Sequence, residues 1–187
     1  MSPARRADAR RNYEILQLAA REIFDEQGCD APLEDVARRA GVGNATMYRH
    51  FAARHELIIA AYADEANALC ARAATLAADL APADALFAWL REFAGHLAPR
   101  RDLALALIED RRSTLFDRWH QAMLGRISAL LARARHAATI RPDLLPADLL
   151  LLTASIALTG GDTDRLLDIL RTGTEEALRP TAAPPAP

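Results

Sequence analysis

Apolar residues recur along this chain at helical spacing, and no alternating, strand-like run is long enough to compete. Ile15, Leu16, Ala19, Ala20, Ile23 and Phe24 form one stripe, and Gly28 is placed to end it. Leu33 to Ala40 predicts a short helix: Pro32 suits its first turn, Glu34 and Asp35 favour its positive end, and Gly41 closes it. After Gly41-Val42-Gly43 a third helix is expected from about Asn44 to Phe51. A long helix should run unbroken from Arg54 to about Asp79. Pro82 opens another that ends near Leu97, and a shorter one follows Pro99 to about Asp110. Ser113 or Thr114 can cap a helix reaching about Ala138. Pro146 begins a helix to about Thr159. Gly160-Gly161 breaks it, and Thr163 caps the last one, which ends before Pro180.

The expected fold is therefore all-α, with a three-helix N-terminal head and a larger helical body. The expected divisions are a flexible basic arm over 1–9, a head over 10–53, a body over 54–179 and a disordered Pro/Ala tail over 180–187.

The head has the layout of a helix-turn-helix: a short helix, a glycine-containing turn and a second short helix. Val36, Ala37, Ala40, Val42, Met47 and Phe51 are spaced to meet in a small core with the first helix. Asn44, Ala45, Tyr48 and Arg49 then occupy the opposite face of the third helix. That face fits a DNA major groove about 12 Å wide. A net charge of -2 argues against nucleic acid until the charge is mapped. Arg38, Arg39, Arg49 and Arg54 lie in a stretch with no acidic residue, and Arg5, Arg6, Arg10 and Arg11 face a lone Asp8. A basic patch on an acidic body is an electrostatic footprint for DNA.

Leu33-Glu-Asp-Val-Ala-Arg-Arg-Ala-Gly-Val-Gly-Asn-Ala-Thr-Met-Tyr-Arg-His-Phe51, followed by Arg54-His-Glu-Leu57, resembles the TetR/AcrR family of bacterial transcriptional regulators. The likeness spans about residues 10 to 65; the rest matches only in helix count and length. It implies a homodimer on a palindromic double-stranded DNA operator, usually a repressor, released by a small molecule held in the larger domain. It places Tyr48 and His50 as phosphate contacts, which a phenol and an imidazole suit as donors. Arg54 falls where the family has a cation opening the fourth helix. A cation there opposes the helix dipole, so a nearby phosphate, or Glu56, must compensate. Asn44 and Thr46 match positions of base or nearby backbone contacts, and Arg49 can reach guanine or phosphate, or merely decorate a solvated face. Gly43 stands where a Ser or Thr commonly caps the third helix, and Ala53 where a cap often precedes the fourth.

In the body, Phe87, Trp89, Phe93, His96, Phe116, Trp119, His120 and Met123 are the candidates for an apolar ligand pocket, although the same residues describe a plain helical core. The helix from Asp148 to Thr159 is apolar nearly all round, and the last helix has a strong apolar face. Leu149, Leu152, Ile156, Leu166, Leu167 and Leu170 are accordingly expected in a dimer interface. No apolar run is long enough to cross a bilayer and no signal peptide is evident, which points to the cytoplasm. Cys29 and Cys70 are isolated, so neither a disulfide framework nor a metal site is expected, and no cofactor is implied. Walker, Gly-x-Gly-x-x-Gly, Gly-x-Ser-x-Gly and zinc-protease motifs are missing, which argues against an enzyme. The alternatives are a DNA-binding regulator without a small-molecule switch, governed by a protein partner or by expression, and, more remotely, a small all-helical enzyme.

Overall fold

The computed structural model describes residues 3–109 and 113–175, with side chains from residue 7 onward. These form ten helices: α1 (Pro3–Gln27), α2 (Leu33–Arg39), α3 (Asn44–His50), α4 (Arg54–Ala61), α5 (Ala63–Asp79), α6 (Pro82–Leu97), α7 (Arg101–Ile108), α8 (Thr114–His136), α9 (Pro146–Leu158) and α10 (Thr163–Glu175). Among the described residues no helix is long and apolar enough to cross a membrane. The expected tail at 180–187 lies outside the described residues.

Local signals set most boundaries. Gly28 takes φ +87° after α1, and Gly41 takes φ +68° after α2, conformations that glycine adopts without a Cβ penalty. Pro82 and Pro146 open α6 and α9, where a missing N–H costs nothing. Ser113 caps α8, its Oγ accepting from Phe116 N at 3.2 Å. The last helix is capped differently from expectation: Asp162 Oδ1, one residue before Thr163, accepts from Arg165 N at 3.0 Å.

Two expectations change with the structure. The arm expected over 1–9 is helical from Pro3 onward, because Ala and Arg are strong helix formers and Pro suits a first turn. The long helix expected from Arg54 to Asp79 breaks at Tyr62, which has φ -113° and ψ 25° between α4 and α5. Neither Gly nor Pro lies there. Tertiary contacts made by the Tyr62 ring hold the bend, as described below.

The body is built around α6. Leu86, Trp89, Leu90, Phe93 and Leu97 are all fully buried there, and α6 packs against α5, α8, α9 and α10. Trp89 Nε1 donates to Leu69 O at 2.9 Å, so its indole is buried without an unmet donor. The apolar helix α9 has two distinct faces. Leu149, Leu150, Thr153, Ala154 and Ala157 point into the chain's own core, whereas Leu151 and Leu152 remain 45% and 42% exposed. On α10, Leu167 is fully buried while Ile169 is 56% exposed. Leu149 and Leu167 are thereby removed from the expected interface, because packing within one chain already covers them. Leu152 stays on the open face; Ile156, Leu166 and Leu170 are half-buried.

Candidate nucleic-acid interface

The head closes over Leu16, Ala20, Val36, Ala37, Met47, Phe51 and Leu57, each nearly or fully buried. Val42 N donates to Ala37 O at 3.0 Å, which tightens the turn between α2 and α3. Gly43 takes an extended conformation and receives no side-chain cap bond. Its carbonyl accepts from Thr46 N and Met47 N at 2.8 and 3.1 Å. With Met47 turned inward, Gly43, Asn44, Ala45, Tyr48 and Arg49 are exposed, and Thr46 and His50 are half-buried. The sequence-expected reading face is therefore one continuous surface. Arg49 lies back along α3, donating from Nη2 to Thr46 Oγ1 at 2.9 Å and from Nε to Ala45 O at 3.3 Å. Both acceptors are neutral, so a phosphate offers a stronger, charge-assisted bond, and a guanine edge offers a bidentate one. His50 meets Tyr13 of α1 edge-on at 6.5 Å between ring centroids, and Phe51 meets the same tyrosine at 4.9 Å.

The basic patch is narrower than the sequence implies. Arg38 pairs with Asp35 at 2.6 Å, and Arg39 reaches Glu22 at 3.0 Å and Glu26 at 2.9 Å across to α1. Hydrogen bonds to Glu26 and then Glu22 push the Arg39 pKa further up, and the bond from Arg39 holds Glu26 below its ordinary value.

Arg54 is a correction. Its Nη1 donates to the carbonyls of Cys29 and Ala31 at 2.7 and 2.6 Å, and its Nε lies 3.0 Å from Asp102 Oδ2 on α7. Three internal acceptors thus hold a guanidinium expected to meet phosphate. Asp102 offsets the cation at the start of α4 within the chain itself, and Glu56 is engaged elsewhere. Glu56 instead reaches back to Ala52 N at 2.7 Å, serving the start of α4 where Ala53 supplies no cap.

A second polar cluster fixes the bend at Tyr62, between head and body. Its ring lies between Arg21 and Arg100, with guanidinium carbons 4.4 and 3.8 Å from the centroid. Its hydroxyl donates to Asp25 at 3.0 Å. Glu65 on α5 receives Arg21 at 2.6 Å and the buried Arg100 at 2.5 Å. Arg100 also donates to His96 O at 2.5 Å and lies 3.4 Å from His96 Nδ1. Burial first, and the neighbouring Arg100 second, bring the His96 pKa down to about 4 against the pull of Glu65. His96 is thus neutral near pH 7, and because a guanidinium only donates, its Nδ1 carries the lone pair.

Of the eight candidate pocket residues, the structure places Trp119 and Met123 in the wall of an open groove. Phe87, Trp89, Phe93 and Phe116 are core, 0 to 2% exposed, with the Trp89 and Phe93 rings stacked 5.4 Å apart. His96 belongs to the Arg100 cluster, and His120 stacks on Phe116 at 5.6 Å. The aromatic content of the body chiefly builds its interior. Tyr13, Asn67 and Arg118, which line the groove, carry no sequence signal beyond the place of Tyr13 three residues before Leu16 on the α1 stripe.

Comparison with known proteins agrees with this architecture. The family model for bacterial regulatory proteins of the tetR family matches residues 17–61. A second, for the C-terminal domain of SbtR-like transcriptional regulators, matches residues 81–176. A TetR transcriptional regulator from Streptomyces coelicolor is 36% identical, covering 91% of this chain and 99% of its own, with a TM-score of 0.57. A TetR transcription regulatory protein from Mycobacterium vanbaalenii is 31% identical over 91% of this chain and 98% of its own, with a TM-score of 0.51. Thermus thermophilus FadR, a TetR-family repressor solved with lauroyl-CoA, shares the fold at 20% identity, 94% and 98% coverage and a TM-score of 0.62. Among curated proteins none matches this chain. The open recognition face on α3, the helical body behind it and these matches along most of the sequence lead to one conclusion: the chain belongs to the TetR family of bacterial transcriptional regulators.

Proposed function

We propose that this regulator binds a palindromic operator as a homodimer, acts as a repressor, and is released by a small molecule held outside the head. The observation that carries the DNA reading is the exposed α3 face, with Asn44, Ala45, Tyr48 and Arg49 outward over a closed core. Tyr48 and His50 serve as phosphate contacts, Asn44 as the base reader, and Gly43 and Thr46 as close-approach positions beside it. Tyr48→Phe and His50→Ala are expected to weaken operator and unrelated DNA alike, because phosphate has no base identity. Asn44→Ala is expected to cost about 1–3 kcal/mol at one base step per half-site. Fluorescence anisotropy against operator and scrambled duplexes separates the two effects. Equal loss on both duplexes for Asn44→Ala would remove it as a reader.

The homodimer reading rests on Leu151 and Leu152 of α9 and Ile169 of α10, large apolar side chains left exposed within one chain. Binding two half-sites one turn of duplex apart requires two α3 helices roughly 34–36 Å apart, the spacing that a two-fold pairing through this face has to provide. Sedimentation at low micromolar concentration should show a dimer, with an interface of about 2,000 Å² or more. Leu151→Glu should shift it to monomer, and a wild-type monomer under those conditions would end the palindrome argument.

Small-molecule release is supported by position. The Tyr62 cluster joins α1 to α5 and α6, so a change in the body is transmitted to the head through ion pairs rather than a loose linker. Two relatives of the same fold were solved with acyl-CoA, lauroyl-CoA in Thermus thermophilus FadR and stearoyl-CoA in Bacillus subtilis FadR. An effector that weakens operator binding 5–150-fold needs a coupling of only about 1–3 kcal/mol.

A further inference from the structure

Between head and body lies a groove of about 340 Å³ that the aromatic content of the chain does not reveal. Its floor is apolar, formed by Ile59, Ala66, Leu115 and Met123, and its rim carries Tyr13, Asn67 and Arg118. It opens into a second hollow of about 510 Å³ that shares Tyr13, Leu115 and Arg118 and is bounded by His50 and Glu56. The two form one trough, running from α5 and α8 to the end of the recognition helix.

Three observations define what would fit. Arg118 is exposed and makes none of the ion pairs found among the described residues, so its charge is open to a ligand. Trp119 is 5% exposed and its Nε1–H has no acceptor among the described residues, an unmet donor that a ligand acceptor would satisfy. Glu56 bounds the inner hollow, its carboxylate already engaged with Ala52 N, and repels an anion that advances past Arg118. Charge is therefore welcome at one point, with an apolar bed on one side and a carboxylate on the other.

We propose that this trough is the effector site and that its ligand is an amphipathic organic anion, with its acidic head on Arg118 and its apolar body over Met123 and Trp119. This rests on the reading of a ligand-released regulator and adds where the ligand sits and how it acts. Tyr13 is the link. It lines both hollows and packs against Phe51 and His50, so a ligand that displaces its ring moves the C-terminal end of α3 directly.

The full-length chain can be titrated with 1-anilinonaphthalene-8-sulfonate, an aromatic anion, and with N-phenyl-1-naphthylamine, its uncharged counterpart. The sulfonate should bind saturably, one per chain, and quench tryptophan emission through Trp119. Arg118→Glu should weaken it at least tenfold while leaving the uncharged probe within about twofold. Ala122→Trp, a bulky side chain added on the exposed groove wall, should weaken both. Circular dichroism confirms that each variant is folded, and the surface position of Arg118 keeps the test alive if Ala122→Trp is not. No saturable sulfonate binding, or binding that both variants leave within twofold, overturns the site. Operator release is read separately. Release by the sulfonate that survives both variants would also overturn the site while keeping the ligand-released reading. Binding in the groove without any change in operator affinity would keep the site and overturn that reading.

Discussion

Arg54→Ala is expected to destabilise the folded chain by about 3–4 kcal/mol and to leave the salt dependence of DNA binding unchanged. Two carbonyls, of Cys29 and Ala31, lose charge-assisted bonds of 2.7 and 2.6 Å, each worth about 1.5–3 kcal/mol. The pair with Asp102 adds less, because both side chains keep about a quarter of their surface in water, 24% and 29%. At roughly 2–4 °C per kcal/mol for a chain of this size, the melting temperature should fall by about 10 °C. Arg54→Lys sharpens the test. An ammonium serves a phosphate nearly as well as a guanidinium does, but it can at best replace Nη1 at the two carbonyls, and it has no second nitrogen to hold Asp102 as Nε does. The lysine variant should therefore recover only part of the lost stability. If Arg54→Lys melted like wild type, and Arg54→Ala lowered the slope of log K against log salt by about one, Arg54 would be a phosphate contact after all.

Arg54 also shows where sequence reading loses resolution. A cation at a helix start announces that something must offset the dipole, but its partners, two loop carbonyls and Asp102 on α7, are remote in sequence. The break at Tyr62 is illegible for the same reason: it carries no Gly or Pro, and Arg21 and Asp25 of α1 and Arg100 of the link before α7 hold it from afar in sequence. By contrast the ends at Gly28 and Gly41 and the starts at Pro82 and Pro146 were readable, because a single residue's backbone preference decides each. The exposed face of α3 was readable too, since only Met47 among its residues is buried. On α9 periodicity fails, because a helix apolar all round gives no contrast between Leu149, buried in its own chain, and Leu152, exposed. Aromatic composition fails likewise: Phe93 and Trp119 read alike in sequence and both are buried, yet only Trp119 also walls the groove.

The second large effect concerns pH. His96 has a folded-state pKa of about 4 against 6.5 ordinarily, lowered by burial and then by Arg100. A base whose pKa is lower in the fold binds its proton more readily in the unfolded chain, so stability rises with pH across that window. The contribution is fully present above about pH 6.5, is lost as pH falls, and at the acid end amounts to about 3 kcal/mol. Urea unfolding followed from pH 7 to pH 5 should show about 2 kcal/mol of it, over a range where most carboxylates are still ionised. His96→Asn is the comparison, since its amide oxygen can take the place of Nδ1 facing Arg100 without titrating. The variant should be flatter than wild type between those pH values, and parallel profiles would show that His96 carries no such charge penalty. The location gives the effect a consequence for function. A proton on His96 places a second cation beside Arg100, whose bond to Glu65 and position over Tyr62 hold the bend between head and body. Operator affinity should therefore fall in the acid range together with stability in wild type, and less so in His96→Asn.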